Sequence, residues 1–142
     1  MEKFEAASLR SVTVRDGFFA PRIRTDHEAT IPVSVKKCEE TGRIKAFDLK
    51  WKKGMPDMPH IFWDSDVAKV VEGMAYSVIL RPDKKMEKKL NDLADRIVSA
   101  QQKDGYLNTH FTVADQGKRW QGLEKPLRVM YGGDGRDHVP LL

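Results

Sequence analysis

Two stretches constrain the fold of this chain more than any others. In Ile61-Phe62-Trp63-Asp64-Ser65-Asp66-Val67-Ala68-Lys69, aromatic residues lead into acidic and hydroxyl residues of the kind that open helices. In Ala100-Gln101-Gln102-Lys103-Asp104-Gly105-Tyr106-Leu107-Asn108-Thr109, an Asp-Gly turn closes a helix. Between them the apolar residues recur at helical spacing, interrupted once by Arg81-Pro82-Asp83. Val67, Val70, Val71, Met74, Val78 and Ile79 stripe a helix that starts at Asp64 or Ser65 and runs to about Leu80. Met86, Leu90, Leu93, Ile97 and Val98 stripe another, capped by Asp83 and reaching about Gln102. Two helices joined by so short a break form an antiparallel hairpin, so the chain is predicted to be mainly α.

Upstream, Ser8 to Val14 is rich in β-branched residues and reads as a short strand or extended arm. Asp16-Gly17 marks a turn, and Phe18-Phe19-Ala20-Pro21-Arg22 reads as an extended, anchored segment. Thr25-Asp26-His27-Glu28 has capping-box form and predicts a helix from about Asp26 to Glu40, with Ile31, Val35 and Cys38 on one face. Pro32 conflicts with that start unless the helix begins near Ile31. Thr41-Gly42 ends it. Residues 43–61 read as a long ordered loop anchored by Phe47, Leu49, Trp51 and Met55, and loops of this length are often functional.

Composition excludes several classes. The 142 residues fit one domain with a real core. No apolar run approaches the ~20 residues that span a bilayer, and the first residues lack a signal-peptide core. With Cys38 as the one cysteine, the expectation is a cytoplasmic protein without an internal disulfide. The net charge of +4 raises the question of an anionic partner. Its densest group, Lys84, Lys85, Lys88 and Lys89, is interleaved with Glu87, Asp92 and Asp95 and reads as a solvated helix face, so nucleic-acid binding is set aside.

Several residues are candidates for chemistry. Asp64 and Asp66 would suit an acid–base pair, or a cation site with His60, but would equally cap free amides at a helix start. Trp51, Phe62, Trp63, Tyr106, Phe111 and Trp120 lie in loops or at helix edges, where aromatic faces either stack on sugar rings or anchor loops to the core. Gly105 turns the chain back, which throws Tyr106, Asn108 and His110 toward one rim of a helical array. Glu72 can point either way, and Cys38 reads as a small buried apolar residue. No P-loop, dinucleotide turn or His-Glu-x-x-His pattern is present.

Five motifs in order, Phe18-Phe19-x-x-Arg22, Thr41-Gly42-Arg43-Ile44, Phe62-Trp63-Asp64-Ser65-Asp66-Val67-x-Lys69, Glu72-x-x-Ala75-Tyr76-Ser77 and Ala100-Gln101-Gln102-x-Asp104-Gly105-Tyr106-Leu107-Asn108-Thr109, closely resemble the start of glycoside hydrolase family 127, the β-L-arabinofuranosidases. The resemblance runs from about Leu9 to Leu123. It implies the first helical hairpins of an incomplete (α/α)6 barrel over residues 1–123, with a short N-terminal extended arm. It further implies hydrolysis of terminal β-L-arabinofuranosyl groups through a zinc-bound cysteine and a glutamate acid/base. None of those catalytic or metal positions maps onto this chain, and Cys38 does not match the nucleophile's motif. The resemblance leaves Ile44, Trp63, Asp64, Asp66, Tyr106 and Asn108 as candidates for one wall of a cavity that receives arabinose-containing glycans.

After Trp120-Gln121-Gly122-Leu123 the chain departs from the family, which continues with a helix opened by His-Glu-Leu-Tyr or His-Glu-Met-Tyr. Residues 124–142 are glycine-rich and aperiodic, and are expected to form an irregular tail from a frameshift or truncated reading frame, in which His138 does not replace a family histidine. A chain so shortened is expected to be inactive and to self-associate through open helix faces. The rival reading is a non-catalytic helical module that binds a carbohydrate or a protein.

Overall fold

A computed structural model of the chain describes residues 6–120. They form five α-helices with intervening turns, and there is no strand among the described residues. The irregular tail expected over residues 124–142 lies outside the described residues.

The predicted N-terminal strand is replaced by a single 3-10 turn, Leu9–Ser11. Ser8 accounts for the difference. Its hydroxyl accepts from the Arg10 amide (3.3 Å) and its carbonyl receives the Ser11 hydroxyl (2.7 Å), local bonds that compete with strand pairing. Val12 is extended but has no strand to pair with among the described residues. Phe18 and Phe19 also differ from expectation, being 57% and 58% exposed rather than anchored. Asp16 accepts from both their amides, at 2.7 and 2.5 Å, and so opens helix α1 (Phe19–Thr25). The Phe19 amide above all holds the Asp16 carboxyl below the usual carboxylate range. Arg22 closes this corner by donating to the Phe18 carbonyl (2.6 Å) while its guanidinium lies 3.7 Å from the Phe18 ring centre.

Thr25 does not cap a new helix. Its hydroxyl donates back to the Pro21 carbonyl (3.0 Å), and the chain runs on through a π-helical turn, Asp26–Thr30, into helix α2 (Ile31–Glu40). Pro32 explains the π turn. In an α-helix its ring would collide with the carbonyl four residues back, whereas the wider turn, closed by the Ile31 amide on the Asp26 carbonyl, makes room for it. Gly42, at φ +79°, then turns the chain out of α2 as expected.

Helices α3 (Trp63–Leu80) and α4 (Lys84–Ser99) form the predicted hairpin. The Asp83 carboxylate caps α4 by accepting from the Lys85 (2.8 Å) and Met86 (3.1 Å) amides. The core gathers Val35 and Cys38 from α2, Ile44 and Phe47 from the loop, Val67 and Met74 from α3, and Met86 and Leu93 from α4. Val98 is a correction: it is 67% exposed, on the outer side of a last turn whose Ile97 and Ala100 pack on the core. Met55 is likewise exposed, although its carbonyl anchors the loop by accepting from the Trp51 indole. A 3-10 turn, Lys45–Asp48, brings the loop back to α4, where Asp48 takes a two-bonded Arg96 fork at 2.8 and 2.7 Å. No described helix is long and apolar enough to cross a membrane.

Met74 is 1% exposed at the centre of this core, so Met74→Ala should cost about 2–5 kcal/mol in urea unfolding. A loss below ~0.5 kcal/mol would place the core elsewhere. Asp83 supplies a pH signature. Its carboxyl is lowered chiefly by the Met86 amide, then by that of Lys85, so its stabilisation is present above the ordinary carboxylate pKa of ~3.9 and fades as pH falls through the lower folded value. Asp83→Asn keeps a capping oxygen but does not titrate. Thermal melts between pH 5 and pH 2.5 should therefore fall less steeply for the variant than for the parent.

Candidate functional site

The two sequence stretches that stand out most meet in space. Asp64, in the first turn of α3, does not bond its own helix amides. Its carboxylate instead accepts from the Thr109 amide (2.7 Å) and the Thr109 hydroxyl (2.5 Å). Thr109 is fully buried and is the first residue of helix α5 (Thr109–Val113), whose cap is the Asn108 side chain on the Phe111 amide (3.0 Å). Asp64 thus does satisfy a free amide at a helix start, but that of a helix remote in sequence. Asp66 faces the other way and binds Arg43 Nε at 2.9 Å.

Around Asp66 a compact group forms. The Arg43 guanidinium lies 5.5 Å from the Trp63 ring centre, and a Cβ on Gly42 would stand 3.8 Å from the same ring. Gly42 is needed for its left-handed turn rather than for space, since that Cβ would make only ordinary contact with Trp63. Trp63 and Asp66 remain half-buried, so one aromatic face, one guanidinium and one carboxylate stand together at the start of α3. Nothing in helical periodicity marked Arg43 as their partner; the signal was its place in the Thr41-Gly42-Arg43-Ile44 motif.

Ile44 and Tyr106 occupy different ground. Ile44 is 4% exposed and its side chain belongs to the core. Tyr106 is 8% exposed, lies beneath Arg119 at 4.7 Å from its ring centre, and meets Trp120 edge-on at 4.8 Å. Burial pushes its hydroxyl pKa up, opposed by Arg119. The turn around it is held by Asp104 on the Tyr106 amide (3.1 Å) and by the Gln102 amide on the Tyr106 carbonyl (2.8 Å). His110 fastens α5 to the long loop through Pro59, its Nδ1 lying 2.7 Å from that carbonyl. Two threads, Asp64–Thr109 and His110–Pro59, therefore seat the closing motif against α3 and the loop. Thr109 carries no local sequence signal for this role, since its partner lies 45 residues away.

His60 is exposed beside Phe62 and accepts the Phe62 amide at 3.4 Å, so it does not join Asp64 and Asp66 in a cation site. Among the described residues no three His, Cys, Asp or Glu side chains are placed to hold a metal ion. Cys38 is buried in the core, where desolvation pushes its thiol pKa up. Packed among core side chains and with no group of three ligands among the described residues, Cys38 does not fit a zinc centre.

Residues 11–130 match the beta-L-arabinofuranosidase GH127 catalytic domain, and the chain is a member of that family. It is 40% identical over 53 residues, 37% of its length, to a non-reducing end beta-L-arabinofuranosidase of Bifidobacterium longum subsp. longum. It is also similar to a GH127 beta-arabinofuranosidase of known structure, with a TM-score of 0.66 and 38% identity over 73% of this chain. These matches span 8% of the first relative and 17% of the second. The helices described above are accordingly part of the helical GH127 fold.

Thr109→Val keeps the shape of the buried side chain but leaves Asp64 short of a donor. It should lower unfolding free energy by about 1.5–3 kcal/mol, measured by chemical denaturation. A change within ~0.5 kcal/mol would mean that the contact carries no weight.

Proposed function

We propose that this chain forms one wall of the glycan cavity in a β-L-arabinofuranoside hydrolase, and that by itself it does not cleave the substrate. The observation that carries this reading is the group of Trp63, Asp66 and Arg43 at the start of α3, braced by the Asp64–Thr109 contact. Such a group offers an apolar ring to the C–H face of a sugar, with a carboxylate and a guanidinium beside it for hydroxyls. Family membership supports glycans as the substrate class, and the activity of the bacterial relative supports a terminal β-L-arabinofuranosyl group as the sugar.

The roles then follow from the contacts. Asp64 is a positioning residue, since both its oxygens are engaged by Thr109. Asp66 and Arg43 would orient hydroxyls, Trp63 would supply the stacking face, and Asn108 would keep the α5 turn in place. The residues described here contribute binding, orientation and exclusion of water.

The purified chain should release no arabinose from an aryl β-L-arabinofuranoside, with or without added zinc. A chimera carrying residues 11–120 in place of the matching segment of the solved relative should hydrolyse that substrate. Trp63→Ala in the chimera should raise KM by about tenfold. Turnover by the isolated chain, or a folded chimera indifferent to Trp63→Ala, would refute the proposal.

A further inference from the structure

The long loop carries most of the chain's excess positive charge. From Arg43 to Asp57 it holds Arg43, Lys45, Lys50, Lys52 and Lys53 against Asp48 and Asp57, whereas the rest of the chain is nearly balanced within a net charge of +4. Most of these cations are free. Arg43 is held by Asp66 and Asp48 by Arg96, but among the described residues the side chains of Lys45, Lys50, Lys52 and Lys53 make no ion pair or hydrogen bond. On α4, by contrast, Lys88 and Lys89 are met by Asp92 and Glu39.

The same loop shows apolar side chains to solvent. Every residue from Lys52 to Met58 is exposed, and Met55, Met58 and Ile61 are 49%, 52% and 37% exposed. Lys45, Lys50 and Met55 border one hollow with Trp51, so charge and apolar surface lie side by side. The shape of the loop is set. Phe47 and Pro59 are buried at its ends, the Trp51 indole donates to the Met55 carbonyl at 3.1 Å, and Leu49 and Asp57 hold left-handed backbone at φ 53° and 56°. A patch fixed in this way needs little further ordering when it docks.

We infer that this loop is a docking surface for an anionic lipid bilayer. Lysines on their own would suit any polyanion, but exposed methionine and isoleucine side chains gain nothing from a hydrophilic one. At a bilayer surface both are satisfied: the ammonium groups meet anionic headgroups, while Met55, Met58 and Ile61 enter the acyl boundary. The inference is independent of the glycan wall, whose Trp63, Asp66 and Arg43 it does not use.

The test is cosedimentation of the 142-residue chain with vesicles, either of phosphatidylcholine alone or of phosphatidylcholine mixed with phosphatidylglycerol. The chain should pellet with the mixed vesicles and not with the neutral ones, and added salt should release it. Lys52→Gln with Lys53→Gln should weaken binding by about thirtyfold. Lys84→Gln with Lys85→Gln, at exposed positions on α4, changes the net charge equally and should weaken it far less. Met55→Ser with Met58→Ser should weaken it several-fold while the thermal midpoint stays at the parent's value. No pelleting, equal losses from the two lysine pairs, or parental affinity in the methionine variant would overturn the inference. The last result, together with release of the chain by polygalacturonate, would point to a soluble polyanion instead.

Discussion

A single carboxylate organises this molecule. Asp64 stands in the first turn of α3, where the free amides and dipole of that helix already favour a negative charge. It uses that position to bind the amide and hydroxyl of Thr109, at the start of α5. Bonds from such donors to an ionised acceptor are short and roughly twice as strong as neutral ones. The alternative is a fully buried threonine hydroxyl and a helix-start amide, both without a partner, and that costs far more than the contact gains. Among the described residues, helix α5 takes its position from this contact together with the one between His110 and Pro59.

The long loop takes its position from the same neighbourhood. His110, one residue beyond Thr109, meets the Pro59 carbonyl, and Pro59 is itself buried. At the far end, Asp48 grips Arg96 on α4 and Phe47 enters the core. The loop is therefore held at both ends by buried or two-bonded contacts, while Trp51 and Met55 close its middle. Such a frame is held firmly where it meets the helices, and Arg43 at its start lies beside Trp63 and Asp66 of α3.

The hairpin was legible in the chain because periodicity and an Asp cap are local signals, and α3 and α4 form where the apolar stripes lie. Errors arose where a distant partner overrode a local preference. Asp64 was expected to cap its own helix or act as an acid, and nothing nearby announces Thr109. The Thr25 capping box was a plausible start, yet Pro32 is accommodated by a π turn and the helix runs through. Ile44 was placed on the cavity wall by its motif, but an isoleucine beside Phe47 and Val35 gains more from burial than from facing a sugar. Arg43 shows the converse: a charge in a loop has no periodic signature, so its place over Trp63 emerges only from the folded chain.

The exchange rate of the Thr109 amide proton reads the Asp64–Thr109 contact most directly. In the parent chain that amide should exchange with deuterium as slowly as the central amides of α3. In Asp64→Ala it should exchange at least about tenfold faster, while the α3 amides keep their protection. An amide that exchanges freely in the parent, or is indifferent to Asp64→Ala, would show that the two motifs are not joined as described.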